Sequence, residues 1–320
     1  MTAQAALETK NRNLYGYLGL MLRGFAMGVC NVIPGISGGT MALLTGIYVE
    51  LIESIRTITN PAHIKRLVRF QIKEILATIP WKFLTALLIG VILGVLSLAH
   101  FMEFLLVTYP IPVWSFFFGL IIASALIVSK RIRRWRIAHY TGLTLGTAAM
   151  YIVAGLVPMS TPDTLLTVFL SGMLAICAMV LPGISGAFIL VLLGKYHFMV
   201  AALNNGDLPV VVVFTLGSGI GLVSFAQLLG WLFKRYHDQT VVVLIGLMLG
   251  SLRLIWPWKA AASSPDPAGW MPVNPDVANV LPDFSSPQVL LAVALVVVAF
   301  GIVVLFETLS GRRNPSHTAE

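Results

Sequence analysis

The chain reads as an all-α polytopic membrane protein: two inverted-topology repeats of five hydrophobic segments, with re-entrant or broken helices at two Pro-Gly motifs. Three observations predict this. Hydrophobic residues make up 58% of the 320 positions and charged residues only 11%, against about 25% charged in an ordinary soluble domain. Apolar stretches of bilayer length alternate with links that are rich in, or free of, Lys and Arg. A seven-residue motif also recurs 148 positions later with one conservative change.

Ten apolar segments are expected near 14–33, 36–54, 82–106, 112–129, 140–158, 164–181, 184–202, 208–233, 239–257 and 288–307. About 20 residues at 1.5 Å rise are needed to cross the hydrocarbon core. The third and eighth meet that length comfortably. The first and second, like the sixth and seventh, are shorter and meet at Pro-Gly breaks.

Charge sets the orientation. The net charge is +8, from 21 Lys plus Arg against 13 Asp plus Glu, and the cations gather in alternate links. Arg56, Lys65, Arg66, Arg69 and Lys73 lie between segments two and three, and Lys130 to Arg136 between four and five. Lys234 and Arg235 follow segment eight, and Arg312 and Arg313 follow segment ten. The intervening links near 107–111 and 158–163 carry neither residue type. Both termini are therefore expected in the cytoplasm, with tails at 1–13 and 308–320. Clustering between apolar segments also argues against nucleic acid as a partner. Within 60–79, Ile64, Leu67, Val68, Ile72, Ile75 and Leu76 fall on one helical face with basic residues elsewhere, predicting a cytoplasmic amphipathic surface helix. Residues 259–287, rich in Ala, Ser, Pro and Asp, are expected to form an extracytoplasmic loop. Cys30 and Cys177 sit inside apolar stretches and read as packing residues, not a disulfide or metal site.

The repeat sets the architecture. From Val32 to Tyr48, nine of 17 positions equal those from Val180 to Tyr196. A second block, offset by 127, pairs Gly90 with Gly217, Gly94 with Gly221, Gly119 with Gly246 and Ser124 with Ser251. The first repeat then spans 14–158 and the second 159–307. Each half has five segments, or three if the first two form a re-entrant hairpin. Either number is odd, so the second half enters from the opposite side, the inverted arrangement of secondary transporters. Pro-Gly breaks inside apolar sequence favour the hairpin form.

A helix that restarts after a break offers free N–H groups and the positive end of its dipole. Pro costs little there, Gly permits close approach, and Ser adds a hydroxyl. Pro34, Gly35, Ser37, Gly38, Gly39 and Thr40, with Pro182, Gly183, Ser185 and Gly186, are thus candidate phosphate-binding or anion-binding residues. The second copy reads as drier, since Ala187 and Phe188 replace Gly39 and Thr40. The preceding helix ends at the same tip, so the cradle works only if its last carbonyls turn aside. Arg23 and Lys195 are cations within apolar segments, about 16 Å and 18 Å along a helix from their breaks, and are candidate phosphate partners. Glu50, Glu53, His100 and Glu103 are candidate coupling residues for H+ or Na+. No catalytic or metal site is expected. The six histidines form no H-E-x-x-H arrangement, and no nucleophile–base cluster is evident.

The paired sequences Asn31–Thr40 and Leu181–Gly186 resemble a widespread family of bacterial and archaeal membrane proteins, formerly a domain of unknown function. It is now regarded as the polyprenyl-phosphate (undecaprenyl-phosphate) translocase family, and the likeness covers about residues 14 to 307. The resemblance implies a plasma-membrane flippase that returns the undecaprenyl phosphate headgroup from the outer to the cytoplasmic leaflet for cell-wall glycan synthesis, with membrane lipids as surroundings and no organic cofactor. It also implies that the two motifs form the central headgroup region. The alternatives are a transporter of a small water-soluble anion and, behind it, a membrane scaffold or lipid-modifying enzyme. Oligomeric state is left open.

Overall fold

The computed structural model describes residues 12–32, 37–58, 78–130, 132, 134–156, 161–260 and 278–312. The expected surface helix at 60–79, apart from its last two residues, lies outside these residues, as do Pro34, Gly35 and most of the 259–287 loop. Among the described residues every regular element is helical, apart from one isolated bridge between Lys259 and Asn279. The described residues form twelve helices, in order: α1 Leu14–Val32, α2 Gly38–Leu44, α3 Tyr48–Ile58, α4 Trp81–Thr108, α5 Pro110–Ser129, α6 Ile137–Val153, α7 Leu165–Val180, α8 Gly186–Leu192, α9 Tyr196–Asn204, α10 Leu208–Arg235, α11 His237–Ser251 and α12 Pro287–Arg312.

Among the described residues four helices contain a stretch long and apolar enough to span a membrane: α4, α5, α10 and α12. The α8–α9 pair qualifies as a fifth only when taken together, and it is bent by 108°. The chain is therefore a multi-pass membrane protein of all-helical class. Leucine, isoleucine and valine side chains along α4, α10 and α12 remain exposed, as lipid-facing positions must be.

The second and seventh apolar segments each divide in two, a correction to the expected single segments at 36–54 and 184–202. α2 gives way to α3 at Thr45–Ile47, and α8 gives way to α9 at Leu193–Lys195. Both stops use a glycine in the left-handed region, Gly46 at φ 74° and Gly194 at φ 66°. Each is closed by the same pair of hydrogen bonds. Gly46 N donates to Leu43 O and Ile47 N to Ala42 O; Gly194 N donates to Val191 O and Lys195 N to Leu190 O. That is the Schellman pattern, which satisfies carbonyls left over at a helix end and requires φ > 0 at its glycine. Residues paired by the 148-position offset thus adopt one backbone geometry.

The chain divides into two compact units. The first comprises residues 1–100 and 158–240, and the second 101–157 and 241–320. In the first, α1 crosses α4 and α7 crosses α10 in matching register. A β-carbon on Gly90 or Gly94 would collide with the carbonyls of Met21 or Phe25; one on Gly217 or Gly221 would meet those of Phe169 or Met173. Met21 and Phe25 are the 148-offset counterparts of Phe169 and Met173, so both halves use the same close crossing. Backbones in lipid gain van der Waals contact in this way. In the second unit α5 packs along α12, with Gly119 against Val296, and α6 packs along α11, with Gly146 against Gly246.

Candidate functional site

Residues that follow the first break meet the second break within the first unit. After α7 ends, Pro182-Gly183 makes the turn with Gly183 at φ 88°, and Ser185 then caps α8. After the first break Ser37 caps α2 from an extended backbone, accepting the Gly39 N–H at 2.9 Å. Ser37 Oγ also donates towards Leu181 O at 3.0 Å and Met179 O at 3.2 Å. Tyr48 donates its hydroxyl to Val180 O at 3.1 Å, and Gly183 N donates to Thr40 Oγ1 at 2.9 Å. Side chains from the first break therefore close the carbonyl end of α7, where a negative dipole would otherwise repel an anion.

The copies differ in their remaining donors. Gly38 N donates to Asn31 Oδ1 at 2.7 Å, so Gly38 and Gly39 both have acceptors within the chain. Met179 stands at the position corresponding to Asn31 and offers no such oxygen. Ser185 Oγ accepts the Phe188 N–H at 3.1 Å. Its hydroxyl proton and the amides of Gly186 and Ala187 have no acceptor among the described residues. Ser37 and Thr40 are 1% exposed, whereas Ser185 and Gly186 are half-buried. The second break, drier by composition, thus retains the free donors, and the first braces it.

Lys195 is fully buried at the N-cap of α9. Its ammonium donates to Thr161 O at 2.8 Å, Pro162 O at 2.7 Å and the Asp163 carboxylate, and lies over the Phe198 ring. Three protons meet three acceptors, which fixes the segment before α7 to the α8–α9 turn. Arg23 occupies a half-buried position on α1. Within electrostatic reach are Arg12 and Glu50, which form a two-pronged pair at 2.8 and 2.7 Å. Glu53, buried on α3, pairs with Arg56 at 3.4 Å and Lys234 at 3.8 Å; Arg56 Nε donates to Gln227 at 2.8 Å. Four cations thus surround two carboxylates at this end of the unit, and Arg23 has no hydrogen-bonded ion pair among the described residues. His100 and Glu103 belong to α4, but their side chains lie outside the described residues. Among the described residues no group of His, Cys, Asp and Glu has a geometry for a metal ion.

Sequence reasoning missed four participants. Arg12 falls in the 1–13 tail, Asp163 is 32 residues from Lys195, Tyr48 is one identity among the repeat matches, and Asn31 borders the first motif. The Asn31-to-Met179 difference was available in the repeat alignment as the signal that the two tips are not equivalent.

Apolar spans joined to interlocked helix breaks define the class: a multi-pass helical membrane protein whose interrupted segments meet inside one unit. Residues 27–269 match the VCA0040-like family, described as undecaprenyl phosphate translocase-like, and the chain belongs to that family. A polyprenyl-phosphate transporter of Vibrio cholerae serotype O1 is 43% identical over 77% of this chain and 80% of its own length. A polyprenyl-phosphate transporter of Staphylococcus aureus is 31% identical over 74% of this chain and 85% of its own. No solved structure matches. The family is one of transporters, so the chain is not an enzyme.

Proposed function

We propose that this chain moves the headgroup of a polyprenyl phosphate, undecaprenyl phosphate or a close relative, from the outer to the cytoplasmic leaflet of the bacterial plasma membrane, where the carrier re-enters cell-wall glycan synthesis. The names of both relatives support the substrate. The observation that carries the mechanism is the asymmetric interlock of the breaks. The first closes the carbonyl end of α7 through Ser37 and Tyr48. In the second, the Ser185 hydroxyl proton and the Gly186 and Ala187 amides have no acceptor among the described residues. A phosphate displacing its hydration water there meets donors and no opposing carbonyl dipole. The isoprenoid tail stays in lipid, so only a small anion crosses.

In this reading the halves are inverted repeats and both termini are cytoplasmic. The matched crossings of α1 with α4 and α7 with α10 support the duplication. The odd number of segments per half and the placement of Lys and Arg support the inversion. Arg23 guides the phosphate on the cytoplasmic side, since the Lys195 charge is already matched by Asp163. Glu50 and Glu53 are the described carboxylates available to H+ or Na+ coupling, each released when its cation partner turns towards the substrate.

The test is reconstitution in liposomes with a reporter of the phosphate's leaflet, run with and without a proton or sodium gradient. The reading expects protein-dependent loss of outer-leaflet phosphate, accelerated by one gradient. Uptake of inorganic phosphate with no movement of the lipid would replace it with a transporter of a water-soluble anion.

A further inference from the structure

A separate cationic cavity lies in the second unit. Beyond α11 the chain turns through Leu252–Ile255, and residues 278–280 return against 256–260. Ala260 N donates to Ala278 O at 2.9 Å, Val280 N to Trp258 O at 3.0 Å, and Trp256 Nε1 to Val280 O at 2.9 Å. This clasp bounds a cavity of about 360 Å³ whose wall includes Phe118, Tyr151, Trp256, Leu281 and Arg253.

Arg253 is the cation on its wall, and Lys259 stands beside Arg253 and Asn279, which line it. Arg253 lies 4.4 Å over the Tyr151 ring and donates through Nη1 to Tyr151 O at 3.0 Å. A β-carbon on Gly155 would collide with the guanidinium, so glycine leaves the room in which it lies. Lys259 reaches the Arg253 carbonyl only at 3.4 Å, and Asn279 holds the same carbonyl at 3.0 Å. Neither cation has a carboxylate partner among the described residues. Burial and the Arg253 charge lower the Lys259 pKa to about 8, the response of adjacent cations that share no counter-anion. By the charge rule this end of α11 is extracytoplasmic, opposite the Lys234–Arg235 end.

We propose that Arg253 and Lys259 form a second phosphate subsite, on the outer side, which captures an isoprenoid phosphate before it reaches the helix breaks. The class of ligand rests on the proposed transport of a polyprenyl phosphate; the site itself rests on the cavity. Guanidinium and ammonium offer charge-assisted hydrogen bonds to a phosphomonoester, and the aromatic and leucine wall accepts the first isoprene unit. A free phosphate shares the charge chemistry but gains nothing from that wall.

The test titrates the purified full-length chain with farnesyl phosphate, inorganic phosphate and farnesol. Binding is read as the Trp256 fluorescence difference between the chain and W256F. Farnesyl phosphate is expected to bind tightest, and the R253Q and K259Q variants are each expected to weaken it about tenfold while leaving farnesol unchanged. Equal affinity for farnesol, or wild-type affinity in both variants, overturns the subsite. Inorganic phosphate binding as tightly as farnesyl phosphate overturns the lipid source. If R253Q fails to fold, K259Q and G155A, which displaces the guanidinium without removing charge, decide the matter. Transport is measured alongside. A wild-type chain that binds farnesyl phosphate but moves no polyprenyl phosphate refutes the transport reading alone, whereas full transport with unaltered KM in the variants refutes the subsite alone.

Discussion

Replacing Thr40 with valine tests the interlock of the breaks at nearly constant volume. Thr40 is 1% exposed, and its hydroxyl oxygen accepts the N–H of buried Gly183 at 2.9 Å. Valine keeps the branched shape but leaves that N–H without a partner. An orphaned buried donor costs about 1–3 kcal/mol. At roughly 2–4 °C per kcal/mol for a unit of this size, the midpoint of thermal unfolding should fall by about 2–12 °C. The control is Thr45→Val. The Thr45 hydroxyl reaches only the Met41 and Ala42 carbonyls of its own helix, so its loss should stay within about 0.5 kcal/mol. Both variants would be unfolded in the same detergent, with the midpoint followed by circular dichroism. Equal shifts for T40V and T45V would refute the contact as the brace between the motifs.

Three further outcomes follow from the same geometry. Gly194→Ala places a β-carbon at φ 66° and should cost about 1–2 kcal/mol, measurable in the same unfolding assay; Gly46→Ala should match it. Asp163→Asn removes the anion from buried Lys195 while Thr161 and Pro162 still accept from it, and Asp163 is itself 60% exposed. A loss of about 1–2 kcal/mol is expected, smaller than for a fully buried pair. Lys259, with its pKa lowered to about 8 beside Arg253, gives opposite trends with pH. Folding stability should rise between about pH 8 and pH 10.5, because the unfolded chain binds the extra proton there. Farnesyl phosphate affinity should fall as pH passes 8, and K259Q should flatten both profiles.

The sequence carried the helical membrane class and the edges of the longest spans because each rests on many residues. α10 at Leu208–Arg235 and α12 at Pro287–Arg312 extend the expected 208–233 and 288–307 by only a few positions. The stops at Gly46 and Gly194 were less legible. Apolar residues continue on both sides, so hydropathy averages across them, and only a left-handed glycine with its reversed hydrogen bonds ends the helix. The ion pairs were illegible for a different reason. Arg12 with Glu50 and Lys195 with Asp163 join residues 38 and 32 positions apart, and nothing local in sequence encodes which loop folds back onto which helix. The difference between the two tips turns on Asn31 against Met179, because the Asn31 oxygen accepts the Gly38 N–H and methionine offers no such acceptor.

The decisive comparison is between Ser185→Gly and Ser37→Gly in the leaflet-reporter assay, with unfolding midpoints measured on the same preparations. Glycine at an N-cap costs only a few tenths of a kcal/mol, so Ser185→Gly removes the free hydroxyl with little loss of stability. Ser37→Gly also removes the donor to the Leu181 and Met179 carbonyls. Slowed headgroup movement at a near-native midpoint for S185G, with a clearly lowered midpoint for S37G, is the expected pair of results. Wild-type translocation by S185G would contradict the assignment of the second break as the place where the phosphate is received.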